Sequence, residues 1–243
     1  MSTAPPAHIA EVIEANSIHF VAQCRVLYEA PDLGAFVRVE APPGQPEAFA
    51  VVAHIASGVI DPNRRPQALD IPIAELAERM PHLPMILRTT ITGLHVGYRQ
   101  GGGLRVALPP QPPRIHAFVH HATPAEIRAL TGDESFLRPL AQATGLPVEE
   151  VIAATLRHAD RAWRDDPDHR ARQQAWGKYL GRLFRADFDR YQAILQRWLG
   201  APPAAREAPS ATSEGHPPWE QPLPVVGRGD DSEVEEDDPF LTR

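Results

Sequence analysis

Short apolar runs alternate with turn-forming residues along the first half of the chain. The runs are rich in β-branched and aromatic residues and partly alternate apolar with polar positions, which is typical of strands. Asn16-Ser17 and Gln100-Gly-Gly-Gly are signals for tight hairpin turns. Because closure of a sheet hides the edges of its strands, this pattern predicts a small closed β-barrel of about six strands. The predicted strands cover residues 8–16, 17–27, 35–40, 48–56, 91–99 and 104–108.

An insertion of different character separates the fourth and fifth predicted strands. Between residues 70 and 88 the apolar residues recur at mixed spacing, and three prolines are incompatible with one continuous helix. We expect a short helix near residues 73–79 and an irregular stretch after it. Before the insertion, residues 61–66 have the composition of an exposed turn that contains Arg64 and Arg65.

The second half of the chain changes to helical spacing. Thr123-Pro-Ala-Glu126 is a capping box that opens a first helix. Asp133 is expected to cap a second helix, and Pro147 to open a third. A fourth, long helix is predicted from about residue 168 to residue 199, because one wide apolar stripe runs through that segment and Gly200 follows it. The stripe includes Trp176, Leu180, Phe184, Phe188, Tyr191 and Trp198.

The last part of the chain has no periodic apolar pattern. Residues 201–243 are rich in Pro, Ala, Ser, Gly and acidic residues. Such a segment buries too little apolar surface to offset the loss of conformational entropy on folding, so it is predicted to be a disordered acidic tail. The predicted fold class is α+β. It comprises a barrel over residues 8–120 with a helical insertion near 70–88, an α-helical module over 121–200, and the tail.

Charge is distributed unevenly between the tail and the rest. The formal net charge is -7, and the tail holds ten acidic residues against three arginines. Residues 1–200 therefore hold 21 acidic and 21 basic residues and are neutral as a whole. Neutrality does not require a polyanionic partner, and it leaves room for a local basic face.

Cysteine content and hydropathy indicate the compartment. Cys24 is the only cysteine, so no internal disulfide forms. The N-terminal residues lack the basic and apolar regions of a secretory signal, and no apolar run approaches the roughly 20 residues that span a bilayer. We expect a cytoplasmic protein without a membrane partner.

Motifs for catalysis are missing from the sequence. No Gly-x-x-x-x-Gly-Lys-Ser/Thr phosphate loop and no Gly-x-Ser-x-Gly nucleophile motif occurs. Cys24 lies in an apolar strand and is interpreted as a core residue. On a strand His116 and His120 share a face while His121 points away, and no carboxylate pair completes a metal site. We therefore predict a strand end with exposed imidazoles, no metal, no cofactor and no enzymatic activity.

Three stretches resemble a known family of barrels. His8-Ile-Ala-Glu-Val-Ile-Glu-Ala-Asn-Ser-Ile-His-Phe-Val, Leu33-Gly-Ala-Phe-Val-Arg-Val and Ala50-Val-Val-Ala-His-Ile resemble the HAS barrel, the N-terminal barrel shared by HerA-type DNA translocases and rotary ATP synthase subunits. The region from Leu108 to Ile127 resembles the closure of such barrels in the HerA branch. The layout is similar to stand-alone bacterial HAS-barrel proteins, since a helical module without nucleotide motifs stands where translocases have their ATPase core.

The resemblance implies binding and not catalysis. Such barrels form rings or dock partners, including the NurA-type nuclease that works with HerA in DNA-end processing. The first hypothesis is therefore a non-catalytic adaptor or assembly factor in DNA repair that binds a HerA-like ATPase or a NurA-like nuclease, with a homo-oligomer as one arrangement. Its candidate partner-binding residues are Trp176, Leu180, Phe184, Phe188, Tyr191, Trp198 and Phe240.

The alternative hypothesis is direct binding of nucleic acid. Arginines of the turn before the insertion and of the third and fourth helices could contact phosphates, although nearby aspartates would cancel part of their field. The candidate residues are Arg64, Arg65, Arg157, Arg161 and Arg164, together with Arg170 and Arg172 of the fourth helix.

The end of the tail has two interpretations. The stretch from Asp230 to Leu241 couples an acidic run to Phe240 and resembles the acidic Pro-Phe tip of single-stranded-DNA-binding proteins. In that family the phenylalanine is terminal, whereas three residues follow it here. The alternative is a tail that only increases solubility.

Overall fold

A computed structural model describes residues 8–61, 63 and 68–200 of the chain. Within these residues the backbone forms seven strands, with the insertion between the fourth and fifth. The strands are β1 (Ala10–Ala15), β2 (His19–Cys24), β3 (Phe36–Val39), β4 (Glu47–Val59), β5 (Leu87–Gln100), β6 (Gly103–Arg105) and β7 (Phe118–His121).

Six of these strands close into an antiparallel barrel. The order is β2-β1-β7-β3-β4-β5, and β5 pairs back onto β2. The predicted barrel is confirmed, but its sixth strand is not the predicted one. Residues 103–105 only extend β5 as a hairpin, with Gly101 and Gly102 at positive φ in the turn. The strand that completes the barrel is β7, which bridges β1 and β3 and so needs partners distant in sequence.

The helices begin and end close to the predicted positions in most cases. The short helix of the insertion is confirmed, while the stretch after it contains one further helical turn instead of being irregular. Asp133 caps a 3-10 turn that leads into the helix predicted there. The helices are α1 (Ile73–Arg79), α2 (Leu83–Ile86), α3 (Pro124–Thr131), α4 (Leu137–Ala141), α5 (Val148–Trp163), α6 (His169–Leu183) and α7 (Phe188–Leu199).

The prediction of one long helix over residues 168–199 is wrong. The chain turns after Leu183, and the Asp187 side chain accepts a hydrogen bond from the Arg190 backbone N–H, which caps α7. The break lets both halves of the apolar stripe enter the same core. The rings of Trp176 and Trp198, one from each helix, lie 6.1 Å apart.

Alternation along the barrel strands produces two cores. Inward-facing residues such as Phe20, Val37 and Ile91 fill the barrel. Outward-facing residues of β3, β4 and β5, among them Phe36 and Phe49, belong to a second core that they share with the helices. The barrel and the helical module consequently form one compact unit, although the sequence suggests two consecutive domains.

Gly34 lies at the closest approach between the barrel and α5. Its φ is +80°, and a Cβ at this position would lie 2.4 Å from the Thr155 backbone N and 2.5 Å from the Ala154 carbonyl carbon. Real Cβ atoms do not approach backbone atoms so closely, so glycine is required both by the backbone angle and by the helix. Thr155 itself is buried and donates its hydroxyl to the Val151 carbonyl.

A ladder of ion pairs also joins the barrel to the helices. Arg38 and Arg99 contact the two carboxylate oxygens of Glu47 at 2.8 and 2.7 Å, and Arg99 contacts Glu126 of α3 at 2.7 Å. Glu126 also completes the predicted capping box with Thr123, which is confirmed. Burial alone would raise the pKa of Glu126, but the hydrogen bonds from Thr123 and Arg99 bring that pKa below its usual value.

Substitution of Gly34 tests the approach of α5 to the barrel. Gly34→Ala combines an unfavourable φ with a backbone clash and should lower the free energy of unfolding by about 2 to 4 kcal/mol. Gly44→Ala is the matched control, because Gly44 has φ +82° and no atom within 4 Å of its added Cβ. This control should lose only about 1 kcal/mol. Urea denaturation measures both, and equal losses would contradict the close approach.

Candidate functional site

The two longest strands extend past the barrel as a two-stranded arm. β3 pairs with β4 only as far as Val51, whereas the pairing of β4 with β5 continues to Val59 opposite Leu87. β2 pairs with β5 only as far as Thr90, so we call residues 57–60 and 86–89 the arm. It ends in the insertion that contains α1 and α2.

An apolar groove of about 650 Å³ lies between the arm and the insertion. Its lining combines Tyr28 from the loop after β2, residues at the outer ends of β4 and β5, and residues of the insertion. Small-molecule and peptide sites commonly have volumes of roughly 300–1,000 Å³, so the groove has room for several side chains of a partner. Its apolar lining includes Val59, Ile60, Leu69, Leu76, Met85 and Ile86.

Large apolar side chains of the groove are in contact with solvent. Met85 is 78% exposed and Tyr28 is 62% exposed, and Ile60, Leu69 and Ile86 are each at least 40% exposed. Single exposed apolar residues are ordinary, but a contiguous set around a concave surface is typical of an interaction site. The mixed spacing of the apolar residues in the insertion does not reveal from sequence which of them face solvent, so the sequence predicts no site there.

The groove has little charge of its own. Among its described lining residues, Asp61 and Asp70 are the charged ones, and both are acidic. This composition disfavours an anionic ligand and suits an apolar segment with neutral or basic neighbours.

Most of the sequence-predicted partner-binding residues lie in the core. Trp176 and Leu180 are fully buried, and Phe184 and Trp198 are buried. The Trp176 indole N–H donates to the Thr131 carbonyl at 2.9 Å, so its polar atom is satisfied internally. These four side chains therefore stabilise the fold and present no free surface.

Two members of the predicted stripe remain near the surface, and one cannot be placed. Phe188 is 63% exposed at the start of α7, and its ring centroid lies 6.0 Å from that of Tyr191. Phe240 lies outside the described residues, as does the whole predicted tail.

Three of the predicted nucleic-acid-binding arginines share one face at the C-terminal end of α5, where Arg164 is the C-cap residue. Arg157, Arg161 and Arg164 are spaced four and three residues apart, and all three are exposed. We call them the arginine face. Arg64 and Arg65 lie outside the described residues, so the structure does not relate them to this face.

One acidic group of α5 is engaged elsewhere. Within the described part of the chain no carboxylate lies in ion-pair distance of the three arginines. Arg157 donates to the Arg197 carbonyl, and Arg161 donates to His158. Asp160 contacts His169 and Gln173 of α6 at 2.6 Å. Its carboxylate is thereby turned to a neighbouring helix, although the sequence suggested that it would weaken the arginine field.

His158 adds no positive charge to this face near neutral pH. Burial lowers the pKa of His158 to about 4, and the neighbouring Arg161 guanidinium acts in the same direction. Asp32 and the Leu33 backbone oppose this shift only in part. The neutral ring accepts a hydrogen bond from Arg161, with 2.6 Å between Nη2 and Nδ1.

The three histidines considered for metal binding have different partners. His116 precedes β7, has φ +70° and contacts Glu11 at 2.5 Å. His120 is mostly buried and faces Glu40 at 3.5 Å, while His121 is exposed. Across the described residues, no group of three or more metal-ligating side chains could hold an ion.

Two chemically capable side chains are buried inside the barrel. Cys24 is 5% exposed, and burial raises the pKa of its thiol, so the thiolate is disfavoured. His95 is fully buried, and its ring centroid lies 5.8 Å from that of Phe20. Sequence reasoning did not single out His95, because its burial depends on closure of the barrel.

Comparisons with family models and with curated proteins identify no relative. No family model matches the chain, and no curated protein matches it. None of the helices in the described segments combines the length and apolarity needed to span a bilayer.

His95 should make the protein sensitive to acid. Burial lowers its pKa from 6.5 to about 4, so the unfolded chain binds the proton more readily and stability falls as the pH drops from about 6.5 towards 4. His95→Leu should reduce the stability difference between pH 7.5 and pH 4.5 by about 2 to 3 kcal/mol. Urea denaturation at both pH values measures it.

A second histidine on the neighbouring strand provides the control. His54 is exposed, so His54→Leu should retain the pH dependence of the unmodified protein. An unchanged pH dependence in His95→Leu would show that His95 is not the group responsible.

Proposed function

We propose that this protein is a non-catalytic adaptor that binds a protein partner in the groove at the end of the arm. The observation that carries this proposal is the set of exposed apolar side chains around the groove, above all Met85 and Tyr28. Leaving such a surface in water is unfavourable, and a partner that covers it gains the free energy of burial. An adaptor role also agrees with the burial of Cys24 and with the different partners of the three histidines.

The proposed partner is a HerA-like ATPase or a NurA-like nuclease, with a role in DNA repair or DNA-end processing. This choice depends on the HAS-barrel resemblance of the sequence, which implies docking of such proteins. The partner would insert an apolar segment between Tyr28 and the insertion, next to Asp61 and Asp70, which favour neutral or basic flanks. A cytoplasmic location and self-association remain predictions of the sequence.

A charge placed in the groove tests this proposal. Met85→Asp should weaken binding of a purified HerA-like ATPase or NurA-like nuclease from the source organism by about tenfold or more, because the carboxylate would be desolvated on binding. Met85 is largely exposed, so the fold should tolerate the change. Calorimetric titration of the full chain measures the affinity.

Phe188→Asp is the matched variant on the surface that the sequence predicted. Phe188 is also exposed and lies in α7, and its substitution should leave the affinity nearly unchanged. Loss of binding only in Phe188→Asp would move the interface to the helices. Absence of binding by both purified candidates would overturn the proposed partner class.

A second candidate function is binding of nucleic acid through the arginine face. The observation that favours it is the alignment of three exposed arginines without carboxylate partners among the described residues. A row of guanidinium groups can neutralise successive phosphates, and this contact is independent of base sequence. The groove is acidic and apolar, so it would not share this role.

Neutralisation of the arginine face tests the second candidate. The triple variant Arg157→Gln, Arg161→Gln, Arg164→Gln should bind single-stranded DNA about tenfold more weakly, and the slope of log K against log salt should fall by about 2 units. The control replaces Arg114, Arg138 and Arg185, which are also exposed, and changes the net charge equally. Fluorescence anisotropy at two salt concentrations measures both. Equal losses would indicate a non-specific effect of net charge.

A further inference from the structure

The outer side of β4 is left open where this strand continues past β3. The Val52 N–H donates to the Ala35 carbonyl at 3.0 Å, and the Gly34 N–H donates to the Val52 carbonyl at 2.7 Å. Beyond these bonds β4 runs on to Val59 with β5 on one side, and none of the described residues pairs with its other side. We call this unpaired side of residues 54–59 the open edge.

Every second residue of the open edge directs its backbone polar groups away from β5. The Ile60 N–H donates to the Ile86 carbonyl at 2.9 Å, and hydrogen-bonded positions alternate along an antiparallel pair. Alternate residues before Ile60 therefore bond to β5, and the residues between them point their N–H and C=O groups outward. The outward-pointing residues are Ile55, Ser57 and Val59. Their spacing is the one that an added strand requires.

The sequence of the open edge does not block the addition of a strand. Residues 55–59 read Ile-Ala-Ser-Gly-Val and include no charged side chain and no proline. Edge strands are ordinarily guarded by lysines, by prolines or by a covering element. The outer side of β5 is guarded in this way, because the Leu87 N–H donates to the Leu83 carbonyl of the insertion and the Thr89 hydroxyl accepts the Tyr28 N–H.

The open edge borders the groove. The Ser57 hydroxyl lies 2.8 Å from the Thr89 hydroxyl, and Val59 lines the groove, so the outward-pointing residues turn their side chains to the groove face of the sheet. Directly opposed residues of an antiparallel pair share a face, so every second side chain of an added strand would lie beside the groove. One added strand would thus meet unpaired backbone groups and exposed apolar surface together.

We propose that the partner of the adaptor binds as an extended segment, which adds antiparallel to the open edge and places alternate apolar side chains over the groove. This inference deepens the proposed adaptor function and rests on it. The outward-pointing backbone groups favour an extended segment over a helix, because a helix bonds its own backbone groups. Charge favours another protein over a second copy, since exposed Asp70 in the groove lining attracts a basic end of the segment, whereas a second copy brings the same aspartate.

A synthetic peptide tests the open edge without requiring a known partner. The probe is Lys-Thr-Val-Thr-Val-Thr-Val-Thr-Lys with blocked ends, and its valines face the groove when it pairs antiparallel. NMR follows the exchange of backbone amides with solvent in the full chain. At about ten times Kd of the peptide, exchange of the Ile55, Ser57 and Val59 amides should slow about tenfold. The Ala56 and Gly58 amides already bond to β5 and should change less.

Removal of single N–H groups tests the pairing itself. Ser57→Pro removes one outward-pointing N–H and should weaken peptide binding about tenfold, because a peptide carbonyl then lacks its donor. Ser57→Ala keeps the N–H and is the matched control, with an expected change below about twofold. An N-methyl group on the central valine of the probe should also cost about tenfold, whereas one on the next threonine, whose N–H faces solvent, should cost little. The methylated probes leave the protein unchanged, so their result does not depend on the folding of Ser57→Pro.

Slowed exchange at the open edge together with these losses supports the inference. Absence of peptide binding at about 1 mM, or equal binding of the two methylated probes, would overturn it. So would a dimer of the unmodified chain that Ser57→Pro converts to a monomer in analytical ultracentrifugation, because a second copy would then occupy the edge.

The purified candidate partners separate this inference from the proposed function. If Met85→Asp weakens their binding while the bound partner leaves the Ser57 amide unprotected, the adaptor function stands and the extended segment is wrong. Binding of the probe at the open edge without binding of either candidate supports the edge and counts against the proposed partner class.

Discussion

The close contact between α5 and the outer wall of the barrel is the constraint on which the rest of the structure depends. Gly34 allows the helix backbone to approach a strand connection at a distance that no side chain permits. The outward-facing residues of β3, β4 and β5 are thereby covered, and one core extends from the barrel wall to the aromatic residues of α6 and α7. The helices are thus part of the barrel's own stability and cannot be regarded as an appended module.

This arrangement also determines which surfaces remain for partners. Much of the aromatic stripe seen in the sequence is buried in the core that the helices share with the barrel, where Trp176 and Trp198 are in contact. None of the described residues that line the groove belongs to α3–α7, and the insertion alone does not bury the apolar residues there. Exposed hydrophobic surface therefore concentrates at that end. The proposed adaptor function follows from this division between covered and uncovered apolar surface.

The packing of the helices also determines which charged side chains of α5 are paired. α5 directs its first glutamates to arginines of α7 and Asp160 to α6, because those helices lie against it. Its arginines on the remaining face have no carboxylate partner among the described residues. A helix with mixed charges in sequence thus becomes a helix with one cationic side.

Local signals were sufficient to predict the elements that local interactions determine. Interactions between sequence neighbours form three of these elements, so the sequence pattern predicts them. They are the capping box at Thr123, the glycine turn after Gln100 and the helix over residues 73–79. Strand alternation likewise predicted the barrel. The closing strand β7, the break before Asp187 and the burial of His95 depend on residues far apart in the chain. Only the tertiary structure decided them, because long-range packing selects among alternatives that are locally equivalent.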